Sequence, residues 1–149
     1  MFTRNVSRLC LIPAALWLAA TAAVAQTPDP NDVADRCIQR MRAIARHCGR
    51  AMNVVAEHAT SRIDELQADG HDEAARRVAR HTIGRIRAMA MACTRELHRE
   101  AVACVRLLRH LGASDELIAS VQEAARRATR HVRGAERHAI GVVLEALNN

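Results

Sequence analysis

The chain has 149 residues and a formal net charge of +6, with 22 basic residues, all of them arginine, against 16 acidic residues. Phe2 and Trp17, its single phenylalanine and single tryptophan, both lie in the first 25 residues, and there is no tyrosine. This composition argues against ligand pockets and nucleic-acid sites that depend on aromatic stacking, and we expect no nucleic-acid partner.

Residues 1–25 have the pattern of a bacterial secretory signal peptide. A basic start, MFTRNVSR, precedes the apolar run LCLIPAALWLAATAAV, and the run ends in small residues before Gln26. The run is short for a membrane span and contains Pro13. We therefore predict export to the periplasm or cell exterior, loss of Cys10 with the signal, and no stable membrane span after cleavage.

The mature chain is expected to be a linker, residues 26–31, followed by one helical domain, residues 32–149. In a first predicted helix, residues 32–68, apolar residues recur in steps of four, four and three, the 11-residue period of nearly straight helices. Its stripe is Val33, Cys37, Met41, Ile44, Cys48, Met52, Val55, Ala59, Ile63 and Leu66. The stripe stops at ADGHDE, where Gly70 suits a helix C-terminus and Asp72 suits the N-cap of the next helix.

Two further helices are predicted at residues 72–111 and 114–147. The second ends at Gly112, and Ser114 suits the N-cap of the third, whose first turn is acidic. The stripe of the third helix is Leu117, Val121, Ala125, Ala128, Val132, Ala135, Ala139, Val143 and Leu147. No period-two pattern indicates a strand. Because the connections are short, the sequence predicts an all-α, antiparallel three-helix bundle.

Four cysteines lie in two segments with the same spacing, CIQRMRAIARHC from Cys37 to Cys48 and CTRELHREAVAC from Cys93 to Cys104. Cysteines eleven residues apart share a helix face but are separated by about 16 Å, too far for a disulfide. In an antiparallel hairpin, facing residue numbers have a constant sum. Cys37 with Cys104 and Cys48 with Cys93 both give 141, which places the turn between Gly70 and His71. We predict these two interhelical disulfides.

The four cysteines resemble those of the twin-cysteine helical hairpins of the mitochondrial intermembrane space. In that family, paired CX9C or CX10C segments are joined outer cysteine to outer and inner to inner. Here 44 residues separate Cys48 from Cys93, a far longer segment, and the export signal is of bacterial type. The resemblance therefore implies a shared hairpin geometry and no shared function.

No motif for catalysis or for a bound cofactor is evident, and we predict that the protein is not an enzyme and has no cofactor. The sequence has no CxxC, no HExxH and no glycine-rich phosphate loop. Its eight histidines are scattered and are interpreted as surface residues. The alternative is a periplasmic copper or zinc protein that uses surface histidines, for which His131 and His138 are the weak candidates because they share a face.

Arginines form a regularly spaced row on the first predicted helix and a cluster on the third. Arg42, Arg46 and Arg50 step by four along the first, and a cluster on the third is the candidate surface for an anionic partner: Arg126, Arg127, Arg130, Arg133 and Arg137. The third helix also carries apolar residues on more than one side near its end, as expected of a homodimer or of the end of a bundle. The sequence thus favours an exported binding or structural module whose partner, a protein or an anionic surface polymer, is undetermined.

Overall fold

The computed structural model describes residues 28–149, which form three helices: α1 (Pro30–Ala68), α2 (Asp72–His110) and α3 (Asp115–Asn148). The all-α fold class and the three-helix bundle are confirmed. The predicted signal peptide and the start of the predicted linker lie outside the described residues. No helix between residues 28 and 149 is long and apolar enough to span a membrane.

Helix α1 begins two residues earlier than predicted. The Asp29 side chain accepts a hydrogen bond from the backbone N–H of Asn31 at 2.8 Å, and Pro30 occupies the first helical turn. Proline is favoured there because its fixed φ suits a helix and its missing N–H has no partner at that position. Pro30 and Asn31, the last residues placed in the predicted linker (residues 26–31), are therefore helical.

Both connections are tight turns that close on a glycine. After α1, Gly70 has φ +74° and the His71 N–H donates to the Leu66 carbonyl at 2.7 Å. After α2, Gly112 has φ +69° and the Ala113 N–H donates to the Leu108 carbonyl at 3.0 Å. These bonds are those of the Schellman motif, which requires a left-handed residue after the helix.

The N-cap predicted at Asp72 is wrong, whereas the one predicted at Ser114 is confirmed. Asp72 is the first residue of α2, and His71 precedes it without a side-chain capping bond. A single residue separates Gly70 from α2, so the capping position falls on His71, and the Asp72 charge acts in the first turn instead. Ser114 accepts from the Leu117 N–H at 3.3 Å and caps α3.

The two predicted disulfides are confirmed. Cys37 is bonded to Cys104 and Cys48 to Cys93, with Cα–Cα distances of 6.2 and 6.4 Å. Their shared register sets α1 and α2 antiparallel. Helix α3 then returns along the direction of α1: Gly49 lies against Ala135, and the Gln67 side chain donates to the Leu147 carbonyl at 3.3 Å. The first and third helices are therefore parallel neighbours.

The core runs the length of the bundle and is built from small and aliphatic side chains. Its nine largest fully buried side chains are Met41, Met52, Ile63, Ile86, Leu97, Leu108, Val121, Val132 and Val143. Burial of a side chain of this size contributes about 1.5 to 3 kcal/mol. Between these levels alanines fill the seams, which allows the three helix backbones to approach one another closely.

The buried stripes are rotated from the predicted ones by about one residue in places. On α1, Ala45 and Ala56 are fully buried, whereas the predicted Ile44 and Val55 are half-buried. Helix α1 packs against both neighbours, and at these two levels the position that points between them is occupied by alanine. On α3 the buried positions include Ile118, Ala124 and Ala146, and the predicted Leu117, Ala125 and Leu147 pack at the edge of the core.

A candidate anion-binding groove between the first and third helices

A groove runs between α1 and α3 on the side of the bundle away from α2. It consists of two adjoining depressions of about 530 and 280 Å³, which share Arg46 and His131. Its floor is made of small residues: Ala45, Gly49, Ala124, Ala128, Gly134 and Ala135. A Cβ atom on Gly49 would meet the Ala135 Cβ at 3.5 Å and the His131 Nε2 at 3.7 Å. The small side chains thus bring the two backbones together and leave a depression above them.

The walls of the groove are basic on both sides. On α1, Arg42, Arg46 and Arg50 recur every four residues, a rise of about 6 Å per step. Arg127, His131 and His138 line the groove from α3 and span about 16 Å along its axis. Because α1 and α3 run in the same direction, the two rows extend side by side, and the six side chains form what we call the α1–α3 groove.

No acidic side chain lines either depression. Within residues 28–149, Arg42, Arg46 and Arg50 have no carboxylate within 4.0 Å, and Arg127 reaches Glu123 only at 3.9 Å. At one end of the groove, the Oδ1 atom of Asn53 is buried and has no hydrogen-bond partner among the described residues. The groove therefore presents uncompensated positive charge to solvent, with an unpaired polar group beside it.

The lining also limits the chemistry of the groove. It offers guanidinium, imidazole and amide groups but no hydroxyl, thiol or carboxylate. Guanidinium groups bind carboxylate, phosphate and sulfate through paired, charge-assisted hydrogen bonds. Several such groups in a row can hold one multivalent anion, whereas a nucleophile beside a base, as in acyl transfer, is missing from this lining.

The arginine cluster predicted on α3 is divided between two sides of the helix. Arg127 lines the α1–α3 groove, whereas Arg126 and Arg130 line a separate groove against α2. Glu123 neutralises much of the charge on that second side, at 2.7 Å from Arg126 and 3.0 Å from Arg130. Hydrogen bonds from Arg126, and then from Arg130, hold the pKa of the Glu123 carboxyl below its ordinary value.

The other two members of the cluster differ from each other in pairing. Arg133 is 3.5 Å from Glu136, while Arg137 has no ion pair with any described residue. The five arginines predicted as one surface thus include four with a carboxylate within 4.0 Å. The α1–α3 groove, by contrast, takes three of its four arginines from α1.

Both histidines of the metal alternative, His131 and His138, line the α1–α3 groove. They lie on one face of α3, about 10.5 Å apart along the helix. Neither belongs to a set of three converging ligand atoms in the described part of the chain, where such a set is formed by Cys37, Glu100 and Cys104. In the structure those two cysteines are joined to each other.

The sequence shows the arginines of α1 and the two histidines of α3, but it does not show that they line the same groove. The row of Arg42, Arg46 and Arg50 was recognisable from its spacing of four. Its partner row depends on the register of α3 against α1, which no cross-link specifies. Gly49 and Gly134 were the available signal, since glycines within long helices indicate close approach of a neighbour or an opening beside the backbone.

The α1–α3 groove thus combines six basic side chains, a floor of small residues and no acidic lining. Comparison with protein-family models, curated proteins and solved structures finds no match for this chain. The geometry and charge of the groove are therefore the basis for a candidate function.

Proposed function

We propose that the protein is an exported, non-enzymatic binding module that holds an anionic partner in the α1–α3 groove. The observation that supports this most is the double row of basic side chains with no acidic residue between them. The two disulfides support the exported location, because such bonds persist mainly in oxidising compartments. A mature N-terminus at Gln26, found by sequencing the protein from the periplasmic or secreted fraction, would establish export.

The partner proposed is a linear anionic polymer of the cell surface. Residues 28–149 contain no phenylalanine, tyrosine or tryptophan on which a base or a sugar could stack, so recognition would rest mainly on charge and hydrogen bonding. The groove is concave and about 16 Å long, which suits an extended chain better than a flat surface. An acidic segment of another protein would meet the same requirements, and a homodimer remains a separate prediction.

Retention on an immobilised sulfated polymer such as heparin tests the binding function. We expect the variant Arg42→Gln/Arg46→Gln/Arg50→Gln to elute at markedly lower salt than the native protein. Its matched control is Arg76→Gln/Arg80→Gln/Arg87→Gln, which removes the same charge from exposed positions of α2 outside the groove. Equal losses in the two variants would mean that net charge alone causes retention, and the groove would be rejected.

A charge-preserving variant separates a groove from a merely basic face. Nothing lies within 4 Å of a Cβ built on Gly134, which opens into the groove. Gly134→Met should therefore place a side chain in the groove without disturbing the core or the net charge. We expect lower retention from Gly134→Met and unchanged retention from Gly84→Met, whose Cβ on α2 also meets open space.

A further inference from the structure

Three potential metal ligands converge at the outer end of the α1–α2 hairpin. The sulfur atoms of Cys37 and Cys104 and a carboxylate oxygen of Glu100 all lie within 4.8 Å of one another. The Glu100 Oε1 atom is 3.7 Å from the Cys104 sulfur. Both cysteines are buried and Glu100 is half-buried, so the group lies just beneath the surface.

We propose that this outer cysteine pair is a redox-controlled zinc site, in which reduction of the Cys37–Cys104 disulfide creates a binding site for Zn²⁺ with Glu100 as the third protein ligand. A dithiol supplies two electrons and two protons, becomes a disulfide itself and leaves two thiols on the protein. Zinc then binds the two thiolates as their two protons are released. In the reverse reaction a disulfide accepts two electrons from the two cysteine thiolates and two protons from water and becomes a dithiol, the Cys37–Cys104 bond re-forms, and the ion is released.

The ligand set suits zinc. Zinc binds thiolate sulfur at about 2.3 Å and carboxylate oxygen at about 2.0 to 2.2 Å, so two ligands of one ion are never more than about 4.6 Å apart. The three atoms here already lie within about that span. Two thiolates and a carboxylate leave the fourth tetrahedral position to water.

The rest of the hairpin is arranged to keep the ligands in place when the outer bond opens. The inner Cys48–Cys93 bond lies eleven residues further along each helix and holds the same register. The fully buried side chains of Met41 on α1, and of Leu97 and Leu108 on α2, pack at the levels next to the site. Cys37 and Cys104 therefore stay on facing helices.

The ion also has a route to the site. A surface depression of about 560 Å³ is lined by Cys37, Glu100, Arg40 and Leu107. Arg40 donates to the Glu100 Oε1 atom at 3.0 Å, and its side chain is 70% exposed. Because it is so exposed, Arg40 can turn into solvent and release the carboxylate to the metal. The inner pair, Cys48 and Cys93, has no converging third ligand among residues 28–149.

The two cysteine pairs provide the test, with the mature protein as the sample. In Cys48→Ser/Cys93→Ser only the outer pair remains, and in Cys37→Ser/Cys104→Ser only the inner pair. Each variant is reduced with dithiothreitol, freed of it anaerobically and titrated with Zn²⁺ against a chromophoric chelator. Cobalt(II) in place of zinc reports thiolate ligands by its absorption, and circular dichroism checks that each reduced variant remains helical.

We expect the outer-pair variant to bind one equivalent of zinc at least about 10- to 100-fold more tightly than the inner-pair variant. Loss of a residue that only hydrogen-bonds to a metal ligand already lowers metal affinity by about this factor. Glu100→Gln in the outer-pair variant should weaken zinc binding by a similar factor. Equal affinity in the two pairs, or no cobalt–thiolate absorption in a folded outer-pair variant, would overturn the proposal. So would equally tight binding by the oxidised protein, which would assign the zinc to histidines.

Discussion

Glu123 determines how much positive charge α3 shows on the side that faces α2. Its carboxylate accepts hydrogen bonds from Arg126 and Arg130, and those bonds lower its pKa. A lowered pKa means that the ion pairs add stability above the unfolded carboxyl's pKa and lose it as the pH falls through the folded value. The pairs therefore remain intact at neutral pH.

Replacement of Glu123 should strengthen anion binding by freeing Arg126 and Arg130 and by removing the carboxylate 3.9 Å from Arg127. We expect Glu123→Gln to elute from an immobilised sulfated polymer at higher salt than the native protein at pH 7. A matched control is Glu73→Gln, which removes an equal charge paired to Arg77 on α2. An increase no larger than that of the control would show that the α3 arginines bind anions equally well when paired.

At the scale of the helices, glycines act in opposite ways within an element and at its end. Gly84 lies within α2 on an exposed face, with nothing within 4 Å of an added Cβ. Gly84→Ala should stabilise the fold by up to about 1 kcal/mol, the difference in helix propensity. Gly70, at φ +74°, should behave oppositely, because alanine in the left-handed region costs about 1 to 2 kcal/mol. Chemical denaturation of the two variants would show shifts of opposite sign.

Helix ends and helix faces differ in how readily sequence specifies them. Gly70, Gly112 and Ser114 were predictable because each position needs a particular backbone angle or capping oxygen. The most buried positions of α1 were not predictable in the same way, because steps of four and three residues are compatible with Ile44 and Val55 as well as with Ala45 and Ala56. Contact with two neighbouring helices favours the smaller residue at these levels, and that depends on the third helix.

For the whole molecule, the disulfides divide the hairpin into an inner and an outer loop. Their sequence separations of 45 and 67 residues differ by 22, the number of residues that the outer bond encloses beyond the inner one. The loop-entropy model assigns about 4 kcal/mol to the inner bond and about 3 kcal/mol to the outer one. Cys37→Ser/Cys104→Ser should therefore lower the free energy of unfolding by about 3 kcal/mol in denaturant. A loss below about 1 kcal/mol would show that packing alone fixes that end.

The register of the hairpin could be predicted because each cysteine pair and the position of the turn indicate the same sum of facing residue numbers, 141. No such constraint ties α3 to α1, since α3 is attached only through α2 and carries no cysteine. Its side-by-side alignment with α1 includes the packing of Gly49 against Ala135. In the sequence Gly49 indicates a close approach, but it does not identify Ala135 as the partner. The α1–α3 groove was therefore missed, while the arginine rows on each helix were recognised.

The parallel course of α1 and α3 has a consequence for the length of the partner that we propose. One turn joins α1 to α2 and the other joins α2 to α3, so neither turn crosses the groove. Each of its two ends therefore lies free of both connections. A polymer longer than about 16 Å could lie in the groove and extend beyond it at both ends. Several copies of the protein could then bind one polymer chain side by side.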